Sequence, residues 1–238
     1  MAYRLATVVL YHGAANETEV ELYQTEHAGK MENVPSISTC CLLNPACLAR
    51  MMNGAAVCSQ CFSNSLLSFR KGLKLTTSKN FYILNGTEIK NAPRIKWTKK
   101  MLQINHTRIV RIESFGDVAS VQQAINYIMI IRANPDCNFG VWTKNLNFWV
   151  QAFKKVGKPK NMTLVFSSLE LNKFSEIPEW ARPWVDHRFT VFTKEWLTEH
   201  GMCSNCAGIS CAMCQRCYRK DTEFDIIEIL RPKKKKGV

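Results

Sequence analysis

Five cysteines stand within fifteen residues in the stretch CSNCAGISCAMCQRC. Cys203, Cys206, Cys211, Cys214 and Cys217 are spaced C-x2-C-x4-C-x2-C-x2-C. Two cysteines two residues apart can chelate one ion, because the turn between them aims both sulfurs to the same side. Linked pairs of this kind have the spacing of metal ligands. A structural zinc takes four ligands in a tetrahedron, so five cysteines leave one over. Cys211, Cys214 and Cys217 match the C-x2-C-x2-C run of iron–sulfur proteins, and Cys206, Cys211 and Cys214 match the C-x4-C-x2-C spacing of plant-type ferredoxins. The overlapping matches favour an iron–sulfur cluster of the 4Fe–4S type, with zinc as the alternative.

A second group lies near the start: Cys40, Cys41, Cys47, Cys58 and Cys61, of which only Cys58 and Cys61 form a C-x2-C. Neighbouring side chains do not point at one ion together, so the candidate ligands here are Cys41, Cys47, Cys58 and Cys61. Cys137 stands alone and reads as a small core residue. None of the five histidines has metal-ligand spacing, and no Ser-His-Asp or paired-carboxylate constellation is apparent. Disulfides would need an oxidising compartment. No secretory leader is apparent, and no apolar run approaches the roughly 20 residues of a membrane span. A cytoplasmic protein with reduced thiols is therefore expected.

The elements that must carry these groups show in the middle of the chain. The run RIVRIESFGD predicts a strand over Ile109 to Ile112 and then a polar turn. Val121, Ala124, Ile125 and Ile128 recur at helical spacing, with Ser120 and Gln123 as a capping box and Pro135 as the stop. NFGVWTKN is a second strand. Leu146, Trp149, Val150 and Phe153 form the next helix face, with Asn145 as N-cap and Gly157 as stop. NMTLVFSS and HRFTVFTKEW are further strands, and the N-terminal run Leu5 to Leu10 reads as a first one. Continuously apolar strands alternating with helices imply parallel pairing covered on both faces. The expected fold is α/β, a full or partial (β/α) barrel with cysteine-rich metal-binding segments toward both ends. An open doubly wound sheet is the alternative. Residues 1–230 read as one domain, and 231–238 as a basic tail.

In parallel α/β folds the loops after the strands build the site. Those loops offer Ser114 and Asp117, Thr143, Lys144 and Asn145, Ser167 and Ser168, and Thr193 and Lys194. Ser114, Asp117, Lys144, Asn145, Ser168 and Lys194 are the candidate catalytic residues; helix capping is the competing role for Asn145 and Thr193. Lysines in one mouth suit an anionic ligand.

The net charge is +13, of which the terminal RPKKKK supplies five. The stretch Lys90 to Arg111 adds seven Lys and Arg with no acid, and Trp97 lies among them. Such a surface fits nucleic acid or merely keeps the protein soluble.

In order, SISTCCLLNPACL, VCSQCFSNSL, RIESFGDVAS, FGVWTKN, LVFSS and CSNCAGISCAMCQRCY resemble the phage gene product 88 domain family. The resemblance spans roughly residues 33 to 220. It implies a phage-encoded protein of the host cytoplasm that carries a cluster, and relatives whose barrels resemble those of radical S-adenosylmethionine enzymes. It implies no established reaction. Those enzymes carry C-x3-C-x2-C after the first strand, and this chain has no such motif, so S-adenosylmethionine is not expected. Three functions compete: an iron–sulfur enzyme, a metal-stapled nucleic-acid-binding protein, and a partner of a host protein.

Overall fold

The computed structural model describes residues 22–54, 57–86, 88–206 and 208–230. The expected strand at Leu5 to Leu10 and the basic tail at 231–238 lie outside the described residues.

Seven strands form one sheet in strict chain order. They are β1 (Gln24–Thr25), β2 (Ser36–Ile37), β3 (Ile109–Ile112), β4 (Asn138–Thr143), β5 (Met162–Ser167), β6 (His187–Phe192) and β7 (Asp225–Ile229). β1 runs antiparallel to β2, and every later neighbour pairs in parallel. A doubly wound sheet reverses its strand order part-way, and this one does not. Among the described residues the sheet is also not closed, because no pairing joins β7 to β1. Of the full or partial barrel expected, full closure is thus corrected: the described strands form an open sheet wound in one direction.

The α-helices among the described residues are α1 (Pro45–Met52), α2 (Phe62–Phe69), α3 (Lys71–Gly86), α4 (Lys99–Ile104), α5 (Val121–Ala133), α6 (Leu146–Val156), α7 (Lys194–Glu199) and α8 (Cys211–Cys214). The Ser120 hydroxyl accepts from the Gln123 amide at 3.1 Å and opens α5, as its spacing predicts. The Gln123 side chain accepts in return from the Ala119 amide, one residue before the cap. Asn145 departs from expectation. It stands at the N-cap of α6 but caps no helical amide; its Nδ2 donates to the Val118 carbonyl and its Oδ1 accepts from Arg50. Gly157 ends α6 at φ +78°, where a side chain would be strained. No α-helix joins β5 to β6. The connection carries Pro178 and Pro183 and forms only a 3-10 turn at Arg182–Trp184.

Side-chain alternation divides the sheet into two faces. Val110 and Ile112, Phe139 and Val141, and Leu164 and Phe166 pack under α5 and α6 with Tyr127, Trp149 and Phe153. Cys137 belongs to this core, as expected. Ile109, Trp142 and Val165 face the other way. Ala212 and Tyr218, from the long connection between β6 and β7, cover them. That connection passes through α7 on the helical side and then crosses the opposite face as the cysteine-rich segment. Gly140 permits the crossing: a Cβ there would stand 2.8 Å from the Tyr218 ring.

Candidate functional site

A cavity of about 640 Å³ opens where the parallel strands end. Its walls come from the loops after β2, β3 and β4, from the sheet face opposite the helices, and from the cysteine-rich connection. The two cysteine groups, distant in sequence, line this one space: Cys41, Cys47, Cys58 and Cys61 on one side, and Cys206, Cys211, Cys214 and Cys217 on the other.

Local structure positions the first group. Asn44 caps α1 by accepting from the amides of Ala46 and Cys47, and its Nδ2 donates to the Asp117 carbonyl at 2.7 Å. This ties the Cys47 helix to the loop after β3. Cys61 stands at the N-cap of α2. The Cys41 thiol donates to it, and the amides of Asn64 and Ser63 add to this, so its pKa falls to about 6. Cys41, giving its proton toward that sulfur and buried as well, is pushed far up. Burial raises Cys47 and Cys58, although Arg50 acts against it at both and Lys144 also at Cys58. Cys40 is buried and does not line the cavity; it packs with Cys41, Leu67, Leu73 and Phe115 in a small cluster.

The second group is held by β7 and by the sheet face. Asn205 Oδ1 accepts from the Ile227 amide at 2.8 Å, and the Cys206 amide donates to the Ile227 carbonyl at 3.0 Å. Lys30 Nζ donates to Cys206 Sγ at 2.9 Å and pairs with Glu228. After α8 the chain turns at Gln215, φ +54°, and brings Cys217 and Tyr218 down on the sheet. Burial pushes the Cys217 thiol up to about 12, with Arg111 opposing. Cys203 is exposed and does not line the cavity. It is the one cysteine of the second group outside the cavity wall. All eleven cysteines are free. Among the described residues, no three His, Cys, Asp or Glu side chains stand gathered as a ready-made metal-binding group.

The candidate catalytic residues separate. Ser114, Asp117 and Lys144 line the cavity. Asn145, Ser168 and Lys194 do not. Ser168 pairs with Thr190 at 2.7 Å, and Lys194 is exposed in the first turn of α7. Asp117 is a brace: it accepts from the Thr143 hydroxyl at 2.7 Å, the Lys144 amide at 2.9 Å and Arg50 at 3.3 Å. Burial raises its pKa, and these donors lower it. Lys144 Nζ donates to Ser167 Oγ at 2.5 Å, and its pKa is lowered by burial.

Sequence reading did not single out several groups now at the site. Arg111 was counted with the basic surface, but it lies in the cavity wall with its guanidinium 3.3 Å from the Trp142 ring centroid. A cation inside the apolar run RIVRI was the available signal. Glu113 accepts from Thr39, Gln123 and Tyr127, and burial lifts its pKa to about 7. His27 stacks on Phe115, and burial, then Arg111, lowers its pKa to about 3. Lys30 and Arg50 carried no motif. Trp97 packs against the core under the helices and is not a free stacking platform.

The model of the gene product 88 family matches residues 12–220, well over half of the chain. The chain belongs to this family. No curated protein and no solved structure matches it, so kinship with radical S-adenosylmethionine barrels gains no support. No helix among the described residues is long and apolar enough to cross a membrane.

Proposed function

We propose that this gene product 88 protein, of phage type, holds an iron–sulfur cluster on its α/β sheet, with Cys206, Cys211, Cys214 and Cys217 as ligands. The single observation that carries this is the placement of those four cysteines on one cavity wall beside two cations. Lys30 donates to Cys206, and Arg111 lies close enough to Cys211 and Cys217 to oppose the rise that burial causes in both thiols. The thiolate, not the thiol, ligates metal, and adjacent cations stabilise it. Neutral thiols have no reason to converge; metal and deprotonation together would draw the sulfurs in. The cluster would supply electron transfer or structural cross-linking. Cys41, Cys47, Cys58 and Cys61, across the same cavity, would take a second ion or cluster. Reduced thiols fit the cytoplasm. S-adenosylmethionine is not part of this reading, and no reaction is assigned.

Anaerobic purification followed by iron, acid-labile sulfide and zinc analysis tests the reading. A brown protein with matched iron and sulfide is expected. Stoichiometric zinc without sulfide would replace the cluster by a zinc staple. Metal-free protein from both metal-supplemented and anaerobic growth would end the metal reading altogether.

A further inference from the structure

The cavity wall holds cations that its carboxylates do not pair. Lys30 is paired with Glu228, Arg50 with Asp117 and Arg216 with Glu223. Among the described residues, Arg111 and Lys144 have no ion-pair partner. The remaining acid of the wall, Glu113, is already satisfied by uncharged donors. Polar groups are also left over. Arg111 Nε, Ser114 Oγ and the Trp142 indole Nε1 are buried without a hydrogen-bond partner, and all three residues line the cavity. Buried donors in folded proteins are almost always paired, so three in one wall point to a missing acceptor. Much of the rest of the wall is apolar, including Phe115, Phe189 and Ile209. A volume of about 640 Å³ suits a small molecule.

We propose that this cavity binds a small organic anion. Its carboxylate or phosphate group meets Lys144 and Ser114, and its apolar body lies against Phe115 and Phe189. Register sets the depth. Arg111 pairs with Gly140, four residues before Lys144, so Arg111 and Tyr218 lie deeper on the face and Lys144 and Ser114 stand at the strand ends. Lys144 gives one donor to Ser167 and keeps two more for a ligand. Arg111, with its Nε buried, adds attraction from below. The proposal concerns the same cavity as the metal reading but stands on these cations and unpaired donors, not on bound metal.

The test titrates anaerobically purified full-length protein with phenyl phosphate and benzoate, and with benzyl alcohol as the neutral comparison, by calorimetry. Iron, zinc and sulfide are assayed on the same sample, so that anion binding and metal binding can fail separately. Saturable binding of at least one anion and none of benzyl alcohol is expected; the tighter of the two names the head group. Lys144→Met should weaken that binding at least about tenfold, since it removes a charged hydrogen bond. Ser114→Ala should weaken it to a smaller degree. No saturable binding of either anion, equal binding of the neutral probe, or wild-type affinity in Lys144→Met overturns the proposal. If Lys144→Met does not fold by circular dichroism, Ser114→Ala and the anion-against-neutral comparison decide.

Discussion

Glu113 and His27 hold opposite protonation preferences within the same wall, and their pH effects can be separated. The Glu113 pKa rises from 4.5 to about 7, so the fold holds its proton more tightly than the unfolded chain does. Its contribution is complete below the unfolded value and is lost as pH rises through about 7. The His27 pKa falls from 6.5 to about 3, so the fold favours the neutral ring. Its contribution is complete above 6.5 and is lost as pH falls through about 3. Between the two unfolded values the slopes oppose and largely cancel. Glu113→Gln should unmask the histidine: urea unfolding between about pH 5 and about pH 6.5 should show stability rising with pH in the variant and nearly flat in the parent. The variant should also lose about 1–3 kcal/mol, because an amide nitrogen cannot accept from the Thr39 amide as the carboxyl Oε2 does. The cysteines divide at the same scale. Cys217→Ser should lose metal, whereas Cys203→Ser, altering an exposed thiol outside the cavity, should retain it. Metal analysis of the paired variants reads this directly.

At the scale of the element, the crossing of the sheet by the cysteine-rich connection depends on one bare position. A Cβ at residue 140 would stand 2.7 Å from the Trp142 ring and 2.8 Å from the Tyr218 ring. Gly140→Ala should therefore cost about 1–3 kcal/mol and lift Cys217 from its place, lowering retained metal together with melting temperature. Gly86→Ala, with no neighbour within 4 Å, is the control and should do neither. Helix α6 supplies a contrast on the other face. Trp149 is fully buried between Tyr127 and Phe153. Trp149→Ala should cost about 3–5 kcal/mol in thermal or urea unfolding, as loss of a large core side chain does.

For the whole molecule, charge is the property that operates at longest range. Lys90 and Lys99 are exposed, while Lys100 pairs with Glu32, Arg94 and Arg108 share Asp136, and Arg111 is turned into the cavity. Part of the basic stretch is thus already spent within the fold. What is left, with a net charge of +13, should give weak binding to single-stranded DNA or RNA that falls steeply between about 50 and about 200 mM salt. Filter binding across that range measures it. No binding at the lower salt removes nucleic acid as a partner and leaves a host protein as the remaining macromolecular one.

The sequence by itself determined the elements whose cause is local. β3 through β6, α5 and α6 follow from apolar periodicity, from the Ser120 cap and from the Gly157 stop, all of which act within a few residues. The cysteine spacing, and with it the metal hypothesis, was equally legible. Tertiary structure decided the rest. Two cysteine-rich segments can be read as counterparts from the sequence, but that Cys41 and Cys217 share one cavity is set by the parallel sheet in chain order, which brings together segments separated by most of the chain. Asn145 looked like a cap and became a brace to Val118 and Arg50, since a side chain takes its best partner in space and not in sequence. The open edge of the sheet was hidden for a related reason: singly wound strands have the same local pattern whether or not the last meets the first. Arg111, one cation in an apolar strand, shows the division most sharply. Its charge was countable from the sequence, but only the alternation of faces determined that it points into the cavity and not into solvent.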